Sequence, residues 1–172
     1  VGMIIFSDRI EKFIPPQKGR HHVLRLIREV LYFEPEGSGT DIGGALEYLS
    51  KVIRRQSVVF LISDFLSAEF VKPLQIANNK HDLVAVRITD PREIAFEGLG
   101  LVELEDAETG EIIVIDSSSK AFQREFAAKV EEDVGELAQT FRRINLDLIN
   151  IRTDQPYIVP LINFFEARSR RM

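Results

Sequence analysis

The 172-residue sequence contains no cysteine. This absence excludes a disulfide framework, thiolate zinc sites and cysteine nucleophiles, and it is typical of proteins in a reducing compartment. No apolar run approaches the roughly 18 residues that a membrane-spanning helix needs, and no signal peptide is visible. We therefore expect a cytoplasmic protein with no membrane segment in this chain.

An excess of positive charge is also missing. The chain has 22 basic and 27 acidic residues, which gives a formal charge of −5. It therefore lacks the basic footprint of a general nucleic-acid binder, and we expect no nucleic-acid partner. The length suits one domain with its own core. Because the chain opens at Val1, directly in an apolar run, we interpret it as an N-terminally truncated fragment.

Strand-like and helix-like segments alternate along the chain. Short apolar or alternating runs predict strands, and residues repeating with a 3.6-residue period predict helices. The predicted strands are Val1–Phe6, Ile10–Ile14, Val58–Ile62, Leu83–Ile88 and Leu146–Ile151, and the predicted helices are Arg20–Phe33, Asp41–Arg55, Ala68–Asn78, Ser119–Ile144 and Val159–Arg171. The order predicts an α/β fold: a three-layer, doubly wound, mostly parallel sheet with helices on both faces, one antiparallel edge strand and a β-hairpin insertion near residues 100–115.

Three apolar strands end in a hydroxyl residue followed by aspartate. The pairs are Ser7-Asp8, Ser63-Asp64 and Thr89-Asp90, and Thr40-Asp41 follows a glycine-rich turn. Ligands of open α/β sheets bind outside the carboxyl ends of the strands, and such oxygens suit Mg²⁺ or Mn²⁺. Asp64 is the best single candidate because it follows the most apolar strand. The alternative is that these residues are turn formers and helix caps.

Other polar groups carry weaker signals. The turn Gly37–Thr40 lacks the pattern of a dinucleotide fingerprint or a P-loop, which favours a flexible connection between two helices. Asp116–Lys120 is typical of a turn and a helix N-cap. The histidines, His21, His22 and His81, form no ligand pairing, so we expect them to be solvated or locally hydrogen-bonded.

Several of these segments together resemble the bacterial domain-of-unknown-function-58 (DUF58) family, a branch of the von Willebrand factor A (vWA) superfamily. The segments occur in the family's order and span nearly the whole chain: Val1–Asp8, Ile14–Pro16, Gly39–Asp41, Phe60–Phe65, Asp90–Glu93, Glu105–Glu111 and Phe164–Arg168. The resemblance implies a single vWA-like domain over residues 1–172 with a metal-ion-dependent adhesion site. Thr40 matches the family's threonine ligand and Asp64 its later aspartate, and Asp41, Ser38 and Ser63 are possible supporting groups.

The superfamily's first metal-binding loop, Asp-x-Ser-x-Ser after the central strand, has no counterpart here. The resemblance implies that this strand and loop lie upstream of Val1. Thr40 and Asp64 alone supply two oxygens, whereas Mg²⁺ needs several held together, so we expect no tight metal binding by this fragment. The strands beside the missing one would have unpaired edges, which predicts pairing with each other or a homo-oligomer.

Three functions remain open at this point. The resemblance implies a non-enzymatic interaction module, in which a bound divalent ion binds an acidic group of another protein, and it implies a MoxR-type AAA ATPase as the partner. A Mg²⁺-dependent phosphohydrolase using Asp8, Asp64 and Asp90 is the alternative, although no base or nucleophile stands out. The third is a structural scaffold that binds no ion.

Overall fold

A computed structural model describes residues 1–67, 70–94, 100–105 and 112–170 of the chain. The strands in these ranges are β1 (Met3–Phe6), β2 (Ile10–Ile14), β3 (Val58–Ser63), β4 (Asp82–Thr89), β5 (Leu101–Glu105), β6 (Ile112–Asp116) and β7 (Asp147–Arg152). The helices are α1 (Arg20–Leu31), α2 (Ile42–Val52), α3 (Val71–Lys80), α4 (Lys120–Arg143) and α5 (Ile158–Ser169), with a short 3₁₀ helix at Pro91–Glu93. The prediction of a mixed α/β chain is confirmed.

The described strands form three separate hydrogen-bonded groups. A parallel three-stranded sheet has the order β3-β4-β7, with Leu61 opposite Ala85 and Ala85 opposite Leu148. The pairs β1-β2 and β5-β6 are both antiparallel. The expected antiparallel strand and the hairpin near 100–115 are thus present, but β1-β2 is not hydrogen-bonded to the parallel sheet. The predicted hairpin turn at residues 108–110 and the predicted helix start at residues 68–69 lie outside the described residues.

Strand β4 is the centre of the core because its two faces enter different hydrophobic clusters. Leu83 and Ala85 belong to a large cluster with residues of α2, α3 and the end of α4, whereas Val84 and Val86 pack with Ile149 and residues of α5. This is the period-2 alternation of a strand that is buried on both sides. Helices therefore pack on both faces of the parallel sheet at β4.

Strand β3 is not the fully buried strand that its sequence predicts. Leu61 is buried, but Val58, Phe60 and Ile62 on the opposite face are 43–61% exposed. Phe60 contacts the ring of Phe165 on α5, with ring centroids 6.3 Å apart. The apolar run Val58–Ile62 therefore forms a strand with one face buried under α2 and α3. Its other face is largely exposed to solvent.

Helix α5 is fixed to the sheet by charge as well as by packing. Arg168 donates hydrogen bonds to Asp82 and to Asp147, the first residues of β4 and β7. None of the helices in the described ranges is long and apolar enough to cross a membrane.

His81, between α3 and β4, is a buried histidine, which corrects the expectation that it is solvated or locally bonded. It is 3% exposed, and neither ring nitrogen has a hydrogen-bond partner among the described residues. Burial lowers its pKa, and the neighbouring Lys80 lowers it further. The imidazole is therefore neutral in the folded protein near neutral pH.

A histidine whose pKa is lowered on folding costs no stability above its unfolded pKa of about 6.5 and destabilises the fold as the pH falls below that value. We expect the urea midpoint of the wild type to drop between about pH 7 and about pH 5. His81→Leu should show a smaller drop, and His21→Gln, at an exposed position, should behave as wild type. Equal drops in all three proteins would contradict this prediction. The carboxylates with lowered pKa values, such as Asp154, change the stability of the fold only at more acidic pH, where they become protonated.

Candidate functional site

The carboxyl end of the parallel sheet gathers hydroxyl and carboxylate groups, as the sequence predicts. Asp64 follows β3 and Asp90 follows β4, the adjacent strand. The structure adds Thr153-Asp154, which follows β7 at the same edge and which the sequence analysis missed. All three parallel strands therefore end at a hydroxyl-aspartate pair, Ser63-Asp64, Thr89-Asp90 and Thr153-Asp154.

Two of these three aspartates are held in local structure. Asp90 caps the 3₁₀ helix by accepting from the Arg92 amide at 2.9 Å, and it accepts from Thr153 Oγ1 at 3.1 Å. Asp154 is paired with Arg152 through two hydrogen bonds of 3.0 and 2.8 Å, which lower the pKa of Asp154. The alternative interpretation, that these residues shape turns and caps, describes Asp90 and Asp154 well.

Asp64 lies in a different environment, a tight turn at the end of β3. Its Oδ1 accepts from the Leu66 amide at 3.1 Å and from Ser63 Oγ at 3.3 Å, and Ser63 Oγ in turn accepts from the Phe65 amide. The hydrogen bonds that Asp64 accepts from described residues all go to Oδ1. Oδ2 is therefore the oxygen that the turn does not use.

Phe65 adopts a left-handed backbone conformation, with φ of 63°. This region is unfavourable for a bulky side chain, and such positions cost on the order of 1–3 kcal/mol. Its ring is buried between Phe70 and Phe141, with centroids 5.7 and 5.2 Å away. Burial of this ring offsets the backbone cost and fixes the turn that carries Asp64.

The second part of the candidate site is the glycine-rich loop before α2. Glu11 on β2 holds the loop, because its Oε1 accepts from the Gly37 amide at 2.8 Å and the Glu36 amide at 3.2 Å. The same oxygen accepts from Ser7 Oγ at 2.6 Å. These bonds, led by the Ser7 hydroxyl, lower the pKa of Glu11. The loop is fixed to the β1-β2 turn, which corrects the interpretation of a flexible connection.

The loop presents its polar side chains outward. Ser38 and Thr40 are exposed. The Asp41 amide donates to the Ser7 carbonyl at 2.8 Å, and the Asp41 side chain caps α2 by accepting from the Gly44 amide. Asp41 therefore acts as a helix cap behind Thr40. The side chain of Asp8, in the β1-β2 turn, is 57% exposed.

The described residues do not form a metal site on their own. No group of three or more histidine, aspartate or glutamate side chains in the described ranges could hold a metal ion. Thr40 and Asp64 offer one hydroxyl and one carboxylate, fewer oxygens than the octahedral shell of Mg²⁺ requires. Asp116 accepts from the Ser118 amide and hydroxyl, and Ser119 caps α4, so the prediction of a turn and N-cap there is confirmed.

Comparison with known families decides the classification. The model of the family described as "Protein of unknown function DUF58" matches residues 1–135. The chain belongs to the DUF58 family. The resemblance found in the motif segments is thereby confirmed at the level of that family. No solved structure matches the chain.

Relatives of this DUF58 chain occur in mycobacteria. The uncharacterized proteins Rv1480 of Mycobacterium tuberculosis and Mb1516 of Mycobacterium bovis are each 27% identical over 173 residues, which cover 99% of this chain and 54% of the relative. The uncharacterized protein MAV169 of Mycobacterium avium is 29% identical over 162 residues, covering 91% of this chain and 94% of that protein. The chain spans about half the length of the first two relatives.

Glu11 and Phe65 are two further residues that sequence reasoning missed in this DUF58 chain. Glu11 lies next to Lys12 in a predicted edge strand, where an acidic residue is typically solvated, yet its side chain is 5% exposed. Phe65 follows the Ser63-Asp64 pair, and its residue type gives no sign of an unusual backbone. One signal was available for Glu11: a glycine-rich loop leaves amides unpaired, and a nearby carboxylate is their natural acceptor.

The close approach of the glycine-rich loop to Ser7 can be tested by a substitution at Gly37. A Cβ at Gly37 would lie 2.3 Å from the buried Ser7 Oγ and 2.0 Å from Asp8 Oδ1. We expect Gly37→Ala to lower the free energy of unfolding by about 1–3 kcal/mol, because the loop must move away from Glu11. Denaturant titration measures the change.

Gly135 in α4 provides the matched control. A Cβ there meets nothing within 4 Å. Gly135→Ala should therefore stabilise the protein by about 0.5–1 kcal/mol, the usual gain from replacing glycine inside a helix. A Gly37→Ala variant as stable as the wild type would show that the loop is not held tightly against the turn.

Proposed function

We propose that this protein is a non-enzymatic, vWA-type interaction module in which a divalent ion, Mg²⁺ or Mn²⁺, joins it to an acidic group of another protein. Thr40 and Asp64 are the ligands that this chain contributes. The observation that carries the proposal is the strained turn at Phe65, which fixes Asp64 and leaves its Oδ2 unused by the turn. Strain of this kind concentrates at functional sites.

The contrast among the edge aspartates supports this choice of ligand. Asp90 and Asp154 are held by Thr153 and Arg152, so their oxygens are already engaged. Asp64 is half-buried, with Ser63 as its hydrogen-bonded neighbour. A carboxylate oriented by a neighbouring hydroxyl is a suitable ligand for a hard cation.

The position of Thr40 supports the same site. Ile42, two residues after Thr40, and Phe65, next to Asp64, belong to the same buried cluster. The two loops therefore flank one hydrophobic core. Glu11 and Ser7 brace the Thr40 loop from behind, with Ser38 exposed beside Thr40 as a further hydroxyl, and Asp41 is committed to capping α2.

The packing of β1 and β3 supports a sheet with more strands than the parallel three-stranded sheet described above. Ile4 and Phe6 of β1 pack on the same cluster as Val59 and Leu61 of β3, yet β1 pairs with β2 and β3 with β4. In our proposal a further strand lies between β1 and β3, which completes a doubly wound vWA-like sheet and brings the missing ion ligands. A strand from a second copy would instead make a homo-oligomer.

The partner follows from the chemistry of the site. An ion with one open coordination position attracts a carboxylate from another protein. The proposal of a MoxR-type AAA ATPase as that protein rests on the family resemblance alone.

Metal binding tests the proposal. Calorimetric titration of this chain with Mg²⁺ should show no micromolar binding, because two oxygens are too few. A longer form of the protein that supplies the proposed strand should bind Mg²⁺ measurably. Thr40→Val and Asp64→Ala should each weaken that binding by at least about tenfold.

Asp116→Asn is the control for the metal titration, because Asp116 accepts hydrogen bonds within its own turn. It should leave the affinity of the longer form unchanged. Micromolar binding by the present chain, or binding in the longer form that survives Asp64→Ala, would refute the assigned ligands.

The Mg²⁺-dependent phosphohydrolase remains the rival proposal. The hydrogen bonds of Asp90 favour a structural role for that residue, and Asp8 lies in the β1-β2 turn beside Arg9. We expect no hydrolysis of a generic phosphoester above the buffer rate when Mg²⁺ is added. Activity in the wild type that disappears in Asp64→Ala would support the enzyme and overturn the interaction module.

A further inference from the structure

Helix α1 carries an exposed apolar face that the core does not use. It is held to the protein by its opposite side. There, Leu26 and His22 are buried, His22 Nε2 contacts the Val1 carbonyl at 2.8 Å, and Glu29 pairs with Lys12 of β2 at 2.5 Å. Because successive helical residues are about 100° apart, this inner side leaves the residues near Leu24 and Ile27 facing outward.

The outward side of α1 carries apolar side chains from Val23 to Leu31. Five of its aliphatic side chains are 40–73% exposed: Val23, Leu24, Ile27, Val30 and Leu31. Tyr32, directly after the helix, is 80% exposed. Contiguous exposed apolar surface on a helix marks a contact site rather than ordinary surface.

The charges around this face are mostly positive, although the chain as a whole is acidic. Arg20, Arg25 and Arg28 lie on α1, and Lys18 precedes it. Glu29 is the helix's acidic residue, and Lys12 already pairs with it, with Arg25 Nε 3.8 Å away. The outward apolar face is therefore bordered by cations that suit a negatively charged surface.

We propose that α1 lies on an anionic lipid surface, with its aliphatic side chains in the boundary between headgroups and acyl chains and its arginines on the phosphates. A basic amphipathic helix with a narrow apolar face binds membranes in this orientation. Tyr32 adds an aromatic group of the kind that favours the membrane interface.

A second copy of the chain fits the same face poorly. Two α1 helices packed face to face would bring Arg20, Arg25 and Arg28 of both copies close together, and these outnumber the nearby acidic residues Glu29 and Glu34, which is unfavourable. The lipid surface supplies the negative charge that a second copy lacks. The proposal does not depend on the ion site at Asp64.

Vesicle co-sedimentation of the purified protein tests this. It should bind vesicles of phosphatidylcholine and phosphatidylglycerol in equal parts, bind pure phosphatidylcholine much more weakly, and dissociate as salt is raised. Arg25→Gln/Arg28→Gln should weaken binding about 25-fold, at about fivefold for each charge. Leu24→Ser/Ile27→Ser should weaken it by at least about tenfold.

The controls are matched in exposure and charge. Ile76→Ser replaces an exposed aliphatic residue of α3, and Arg142→Gln/Arg143→Gln removes two exposed arginines of α4. Both should bind the mixed vesicles as wild type does, with circular dichroism confirming that all variants fold. Absence of binding by the wild type, or an equal loss in the controls, would overturn the proposal. A concentration-dependent dimer abolished by Leu24→Ser/Ile27→Ser would replace the lipid surface with a second copy.

Discussion

Burial of the Phe65 ring is the constraint on which the candidate site depends. The ring packs against Phe70, just before α3, and Phe141, near the end of α4. Both neighbours belong to the cluster that also holds α2 and β4 together. The same burial that stabilises the core thus forces the backbone after β3 into a left-handed turn. Asp64 is held at the sheet edge by hydrophobic packing of its neighbour, and no charged side chain among the described residues pairs with it.

The order of elements was predictable because it depends on local periodicity. The strand Ile10–Ile14 is confirmed at its predicted limits, and the helix predicted at Ser119–Ile144 occupies Lys120–Arg143, with Ser119 as its cap. Exposure was less predictable. Val58–Ile62 has the composition of a strand buried on both faces, but which faces are covered depends on elements distant in sequence.

The site was predictable in residue type and less so in role. Every hydroxyl-aspartate pair looks alike in sequence, and a turn former and a ligand use the same oxygens. Turn formers are distinguished from candidate ligands by contacts between residues distant in the chain. An example is the hydrogen bond from Thr153 to Asp90, which lie 63 residues apart. Periodicity contains no information about such contacts. It equally failed to predict that Glu11 binds the Glu36 and Gly37 amides.

Strand β2 connects the two surfaces for which we propose functions. Adjacent residues on this strand hold different parts of the molecule: Glu11 binds the loop that presents Thr40, and Lys12 pairs with Glu29 of α1. Neighbouring side chains of a strand project to opposite faces, so each contact can form without disturbing the other. Both attachments nevertheless belong to one strand of five residues, so α1 and the Thr40 loop are held by the same short segment of backbone. In our proposals the helix that faces the lipid and the loop that presents Thr40 are therefore positioned by the same strand.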